Sequence, residues 1–214
     1  MSLQVLENKF NSKFRSFFPK QMWRDPYPEF YVSGGVFVRL YNDLPMKDID
    51  VFAKGTDNYQ ALLAYYRDYR KAIIISSNVC LTKLELNGTN IDLVNKKNNL
   101  QINSNVLNFD FTFLQLAATI NPDDDRFTIQ TYSDYAMDDL MSMRVRSTGN
   151  LLMGTPKNNT LNRFMKYARL GFDIEEGSYE YIAQRVQEKM LEGVGGILEG
   201  PTIGIGGGTD NYED

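Results

Sequence analysis

The sequence of 214 residues predicts an α/β (α+β) fold, in which a small mixed sheet carries flanking helices, a helical C-terminal extension and a glycine-rich tail. Strand and helix patterns alternate along the middle of the chain, as they do where helices pack on a sheet. Asp48–Phe52 alternates polar and apolar residues, which is typical of a half-buried strand. Asn87-Gly88 separates two further strand patterns, and both residues tolerate the positive φ angles of a tight hairpin.

The chain opens with an amphipathic pattern. Leu6, Phe10, Phe14, Phe17 and Phe18 recur at helical spacing, with lysines on the other faces, until prolines interrupt the pattern. The aromatic stripe predicts that this helix docks on the main domain. Contact of its basic and aromatic surface with a nucleic acid backbone or a partner protein is the alternative.

The remaining elements follow in order. The strand patterns are Phe30–Val32, Asp48–Phe52, Ala72–Ser76, Val79–Leu86, Thr89–Asn95 and Arg126–Gln130. The helix patterns run from Gly35 to about Tyr41, over Tyr59–Lys71 and Asp134–Met143, and over residues 160–170 and 178–192. Val106–Ile120 has a strand-like start and a helical finish.

The composition excludes several kinds of chemistry. The chain has no histidine, so it can hold neither a Ser-His-Asp triad nor a histidine-ligated metal. Cys80 is the single cysteine, which excludes an intramolecular disulfide, and its apolar flanks predict that it is buried. The net charge is −4, and the sequence contains neither a transmembrane stretch nor a signal-peptide core. We therefore expect a cytoplasmic protein that does not bind membranes.

Asp48 and Asp50 are the first candidate site residues. Residues i and i+2 of a strand point to the same face, so the two carboxylates stand together while Ile49 points inward. Carboxylates this close repel each other unless a cation neutralises them, and hard oxygen ligands suit Mg²⁺ or Mn²⁺. A D-x-D pattern also arises by chance, so its neighbourhood must support the interpretation.

That neighbourhood contains a glycine turn and a third aspartate. Ser33-Gly34-Gly35 lies between a strand and a helix, where glycine lets the backbone approach a phosphate closely. Asp92 lies on the predicted hairpin between two apolar residues, and an exposed strand aspartate is its plainer interpretation. Together these features are typical of a nucleotidyltransferase site, in which metal ions activate a hydroxyl and stabilise the triphosphate leaving group.

The order of these motifs resembles the head domain of the bacterial poly(A) polymerase and CCA-adding tRNA nucleotidyltransferase family, class II of the polymerase-beta-like superfamily. The resemblance covers residues 30–185. It rests on Gly34-Gly35, Asp48-Ile49-Asp50, Ile91-Asp92-Leu93, the D-F-T segment at Asp110, Asp139-Leu140, Val145-Arg146 and the A-R-L-G-F-x-I-E helix end at Ala168–Glu175.

The resemblance implies a set of site residues. Asp48, Asp50 and Asp92 would be the catalytic and metal-binding carboxylates, with Asp92 as third ligand or general base. Residues that would contact the nucleotide are Ser33, Gly34 and Gly35 at the phosphates and Asp110 near the ribose. Independently of the family pattern, Arg163, Lys166 and Arg169 are candidates to bind phosphate, and solvated helix cations are the alternative interpretation. The implied cofactor is Mg²⁺ or Mn²⁺, and the implied partners are a nucleoside triphosphate and an RNA acceptor.

The chain also departs from the family pattern. The two arginines before the D-F-T aspartate are replaced by Asn108 and Phe109. The base-reading E-D-x-x-R motif falls on Thr155-Pro156-Lys157-Asn158-Asn159, which lacks both charges. Two hypotheses therefore stand: a metal-dependent transferase of nucleoside monophosphates, and a non-catalytic head that serves as a structural or interaction module in an assembly.

The same patterns divide the chain into four segments. They are a basic and aromatic N-terminal helix with its linker (1–28), the head domain (29–150), a helical extension (151–192) and a glycine-rich acidic tail (193–214). Eight of the 16 glycines lie in residues 193–208, so ordering this tail is expensive in backbone entropy. By composition residues 193–214 are a flexible acidic tail, and we expect them to be ordered only where a protein partner holds them.

Overall fold

A computed structural model describes residues 2–20, 26–96, 101–121, 124–150, 159–175 and 177–195. The strands are β1 (Phe30–Ser33), β2 (Asp48–Lys54), β3 (Ile73–Ser77), β4 (Leu81–Leu86), β5 (Thr89–Lys96), β6 (Leu116–Asn121), β7 (Arg126–Thr131), β8 (Arg144–Val145) and β9 (Asp173–Ile174). The α-helices are α1 (Leu3–Phe14), α2 (Val36–Tyr41), α3 (Thr56–Ala64), α4 (Ile102–Val106), α5 (Ala136–Met141), α6 (Thr160–Arg169) and α7 (Ser178–Gly195). Helix α3 continues into a π-helical turn over Tyr65–Tyr69, and 3₁₀ turns span Arg15–Phe17 and Thr112–Leu114.

The described strands form a seven-stranded mixed sheet and a small two-stranded one. The order in the large sheet is β3-β4-β5-β2-β1-β6-β7. Strands β2 and β5 run parallel, and the other neighbours in this sheet are antiparallel. The predicted hairpin turn is confirmed, with φ of 53° at Asn87 and 75° at Gly88. The mixed sheet with flanking helices confirms the predicted fold class.

The sheet separates a covered face from a more open one. On β2, Ile49, Val51 and Ala53 are fully buried under the helical layer, while the residues between them are half-buried or exposed. The alternation follows from the period of two along a strand. The polar face of β2 is therefore available for a site.

The N-terminal helix belongs to this layer. Phe10 is fully buried, and its ring centroid lies 5.1 Å from that of Phe127 and 5.8 Å from that of Phe37. Leu6 and Phe14 are buried beside it. The prediction that the aromatic stripe docks on the main domain is confirmed. None of the described helices combines the length and the apolar character needed to cross a membrane.

The prediction for Val106–Ile120 was wrong in its order. Helix α4 ends at Val106, and the segment finishes as strand β6, which pairs with both β1 and β7. Alanines favour helices in isolation, but Ala117 and Ala118 are fully buried between two strands. Tertiary pairing overrides the local propensity here.

Cys80 was predicted to be buried and is exposed. It lies in the turn between β3 and β4, at the outer edge of the sheet. Its neighbour Val79 is 71% exposed, so the apolar flanks do not belong to the core. The isoleucines of β3 are exposed for the same reason, because β3 is the outermost strand.

Candidate active site

Strand register brings the predicted carboxylates to one place. Asp50 on β2 and Asp92 on β5 are direct Cα partners across the parallel pair. Asp48 lies two residues before Asp50, on the same face and at the exposed end of β2. All three line one cleft with a volume of about 790 Å³.

The glycine turn packs against this cluster. Ser33 is the Cα partner of Asp50, so Gly34 follows directly beside that carboxylate. Gly34 has a φ of 87°, and a Cβ atom placed on it would lie 2.8 Å from Oδ2 of Asp50. The turn thus requires glycine at position 34 for two reasons, namely its backbone conformation and its closeness to the carboxylate. Gly35 also lines the cleft.

The neighbouring carboxylates make Asp50 harder to ionise. Burial is the largest cause of a rise in the pKa of Asp50 to about 7, and the charges of Asp92 and Asp48 act in the same direction. The positive charges of Arg163 and Lys166 oppose this rise. Asp50 is thus a carboxyl group that gains from any further positive charge placed beside it.

Several cations face the acidic cluster. Arg39, Lys47, Lys83, Arg163 and Lys166 all line the cleft. Burial and the nearby guanidinium groups of Arg39 and Arg163 lower the pKa of Lys166. Cations beside carboxylates and a glycine turn make a setting suited to a polyanion that also carries a metal ion.

Asp110 holds one of these cations in place. Its carboxylate is fully buried, and its Oδ1 lies 3.2 Å from Nη1 of Arg163. Thr160, at the start of α6, donates a hydrogen bond to its other oxygen. Burial raises the pKa of Asp110, and the charge of Arg163 opposes that rise. Asp110 therefore anchors α6 and Arg163 from beneath the cleft wall, and a contact with ribose stays a prediction.

Three predicted residues, namely Asp110, Ser33 and Arg169, do not line the cleft. The hydroxyl of Ser33 is fully buried and donates to the carbonyl oxygen of Leu116 on β6, so this side chain fixes the β1–β6 pair. Arg169 is exposed at the end of α6, outside the cleft lining. Of the base-reading positions, 155–158 lie outside the described residues, and the Asn159 side chain accepts from the Asn162 amide as the cap of α6.

Sequence reasoning missed Lys83 and Phe52. The two-residue turn at Asn87-Gly88 fixes the hairpin register, and counting back from it places Lys83 opposite Asp92. Phe52 follows Asp50 by two residues and therefore shares its face. Both positions were deducible from strand period and hairpin geometry.

The donor set fits a magnesium or manganese ion. Among the described residues, there is no group of three His, Cys, Asp or Glu side chains that could hold a metal ion. Magnesium rarely needs one, since it is commonly held by one or two carboxylates together with waters and substrate phosphates. The paired carboxylates of Asp50 and Asp92, with the raised pKa of Asp50, match that mode of binding.

Comparison with known proteins gives both a family and a fold. The sequence model of the Gabija anti-defense 2 family matches residues 4–142, well over half of the chain. No curated protein matches the sequence.

Three solved structures illustrate the fold. A CCA-adding enzyme with CTP superposes with a TM-score of 0.66 at 21% identity, over 90% of this chain and 48% of its own. The Thermotoga maritima CCA-adding enzyme with tRNA gives a TM-score of 0.60 at 20% identity, over 89% of this chain and 42% of its own. A tRNA nucleotidyltransferase with a primer tRNA and an incoming ATP analogue gives a TM-score of 0.62 at 17% identity, over 81% of this chain and 51% of its own. The chain thus has the fold of the nucleotidyltransferase head and spans about half the length of these proteins.

Proposed function

The chain belongs to the Gabija anti-defense 2 family, and we propose that it counteracts the Gabija defence as a metal-dependent nucleotidyltransferase. It would transfer a nucleoside monophosphate from a nucleoside triphosphate to a hydroxyl acceptor, for which we propose RNA. The similar structures contain CTP, an ATP analogue and tRNA, which supports these substrate classes.

One observation carries the proposal. Asp50 and Asp92 lie side by side on parallel strands in an open cleft, and Gly34 is pressed against Asp50 where no side chain fits. Two neighbouring, half-buried carboxylates with no function would be a net cost to the fold, because like charges repel each other. The arrangement is explained if a cation and a phosphate group occupy the cleft.

The chain's own residues have distinct tasks in this scheme. Asp48, Asp50 and Asp92 would hold Mg²⁺ or Mn²⁺, which would supply positive charge at the reacting phosphate. Gly34 and Gly35 would let the phosphates approach the backbone. Arg163 and Lys166 would bind phosphate oxygens, with Asp110 holding Arg163 in position.

The reaction balances without an external oxidant or reductant. The acceptor oxygen forms a bond to the α-phosphorus, the bond from that phosphorus to the β-phosphate oxygen breaks, and pyrophosphate leaves. The proton of the acceptor hydroxyl passes to Asp92 or to water. Asp92 lies directly opposite Asp50 in the strand pair, next to the position where the acceptor hydroxyl would react.

The direct test is transfer of label. The full chain is incubated with each α-labelled triphosphate, Mg²⁺ or Mn²⁺ and mixed RNA, and the labelled products are separated. We expect metal-dependent labelling that D50N abolishes and D134N, a change at an exposed aspartate, leaves intact. Because both charges of the base-reading motif are missing, we expect more than one triphosphate to serve. Labelling that persists in D50N would refute the assignment.

A second function has its own support. The missing base-reading charges, and the lack of a group of three metal-holding side chains in the described part of the chain, favour a non-catalytic head that acts by binding a component of the defence. This alternative predicts that suppression of the defence survives loss of the carboxylates. The predicted contact of residues 193–214 with a protein partner stays a prediction, because residues after Gly195 lie outside the described part of the chain.

A further inference from the structure

The face of the sheet that carries the acidic cluster continues as an ordered series of side chains. We call it the open ladder, and its successive rows lie two residues apart along each strand. The first row is Asp50, Asp92 and Lys83; the second is Phe52, Val94 and Leu81; the third is Lys54 and Lys96. Every one of these residues is half-buried, whereas their neighbours on the opposite face are buried. The ladder therefore presents carboxylates, then an aromatic and apolar row, then lysines.

The spacing of the rows suits a polymer. Side chains two residues apart on a strand are separated by about 6.6 Å. That step is close to the distance between successive phosphates in an extended single strand of nucleic acid. The charge also changes sign along the ladder, from the carboxylates that would hold the reacting centre to the lysines two rows away.

The aromatic row is held rigidly. The Phe52 ring stacks on Tyr31 with centroids 5.0 Å apart and planes 9° from parallel. Phe109 meets the same ring edge-on at 6.4 Å, at the position where the related family has an arginine. Both phenylalanines line the cleft. Lys96 Nζ lies over the Phe52 ring, 5.6 Å from its centroid, so a long side chain whose charge can move aside covers this platform.

We propose that the open ladder binds the acceptor as a single-stranded nucleic acid, an inference that rests on the proposed transferase function. The strand lies along β2 and β5 with its terminal hydroxyl at Asp50 and Asp92. Its terminal base stacks in the Phe52 row, and the next backbone phosphate meets Lys96. Lys54 in the same row is paired with Glu29 at 3.0 Å, so its charge is balanced and Lys96 is the phosphate contact. Aromatic stacking with flanking cations is how proteins bind single strands without reading sequence.

The test measures binding apart from chemistry. A short 5′-fluorescent RNA with a free 3′-hydroxyl is titrated with the full chain, and anisotropy is followed at several salt concentrations. We expect K96A to weaken binding and to reduce the salt slope by about one. We expect F52A to weaken binding about tenfold with the salt slope unchanged, and F52Y to restore it. K20A, which removes an exposed lysine at the end of the N-terminal segment, should have no effect.

Comparing the variants distinguishes failure of the RNA-binding proposal from failure of the transferase proposal. If D50N binds RNA like the wild type yet transfers no label, ladder and transferase are both supported. If the K96A and F52A effects appear but no protein transfers label, the ladder stands and the transferase proposal fails. A matching single-stranded DNA shows whether the 2′-hydroxyl is read. If F52A instead weakens triphosphate binding, or if K96A and K20A behave alike, the acceptor assignment is overturned.

Discussion

Asp50 is the residue whose ionisation most directly reports on the site. Its pKa in the folded protein is about 7, chiefly because of burial and then because of Asp92 and Asp48. A carboxyl group whose pKa is raised on folding stabilises the fold at low pH, and that contribution is lost as the pH rises through about 7. Above that pH the ionised carboxylate opposes folding.

Replacement of Asp50 by asparagine should therefore stabilise the protein in alkaline conditions. We expect D50N to raise the melting temperature by several degrees at about pH 8, and to change it little at about pH 3, where Asp50 is protonated in the folded chain and mostly protonated in the unfolded chain. Thermal unfolding across this range measures the effect, with D134N as the control. A lower melting temperature for D50N at about pH 8 would contradict the electrostatic picture.

The stabilisation of the protein by a bound metal ion should also depend on the ionisation of Asp50. Protons compete with a cation for Asp50, so we expect Mg²⁺ to raise the wild-type melting temperature more at about pH 8 than at about pH 6. D50N should lose most of this response. Equal stabilisation of both proteins by Mg²⁺ would place the ion elsewhere.

Gly34 offers a steric test with a matched control. In G34A the new Cβ would lie 2.8 Å from Oδ2 of Asp50, whereas Gly88 has a similar positive φ and open space around it. Both variants bear the cost of a left-handed alanine, about 1 kcal/mol in unfolding free energy. We expect only G34A to lose transfer activity, by at least tenfold. Equal loss in G88A would mean that backbone strain alone is responsible.

At the scale of single elements, helix α6 carries Arg163, which forms an ion pair with Asp110 and for which we propose phosphate binding. Asp110 and Arg163 are paired at 3.2 Å, with the carboxylate fully buried. R163A would leave that carboxylate uncompensated, at a cost of about 3–5 kcal/mol in unfolding free energy. The double variant D110N/R163M should recover stability, because no charge is then left alone.

The same double variant separates stability from function. We expect D110N/R163M to bind the nucleoside triphosphate several-fold more weakly than the wild type, while R169A on the same helix binds normally. Equilibrium binding and chemical denaturation measure the two effects independently. Full triphosphate affinity in the double variant would remove Arg163 from the phosphate site.

Elements also show how far sequence reasoning reaches. The period of two correctly predicted that Asp48 and Asp50 share one face, and Asn87-Gly88 correctly predicted the hairpin turn. The register that follows from this turn places Lys83 opposite Asp92, which sequence reasoning missed. Strand β6 was beyond such reasoning, because its alanines become a strand only between β1 and β7. Local patterns report local preference, and pairing between distant segments decides the rest.

Side-chain roles were harder to predict than positions. Ser33 and Asp110 were placed at the nucleotide by their motifs, yet both are fully buried and bonded within the protein. The Asp139 and Arg146 positions of the family pattern form an ion pair at 2.8 Å, so that part of the resemblance reflects architecture. A motif shared with enzymes thus mixes residues that build the fold with residues that face the cleft.

At the scale of the whole molecule, the chain belongs to the Gabija anti-defense 2 family and has the fold of the nucleotidyltransferase head. It spans about half the length of the nucleotidyltransferases that it resembles. The open ladder, adjacent to the carboxylates, is the surface that we propose for the acceptor. Catalysis and binding would then share a single face of one sheet.

The most direct measurement compares wild type, D50N and D134N for suppression of Gabija protection in cells that carry the system, with protein levels matched. The catalytic account predicts that D134N suppresses protection like the wild type and that D50N, although folded and at least as stable, does not. Full suppression by D50N would contradict it and establish the chain as a binding module that uses the nucleotidyltransferase fold without its chemistry.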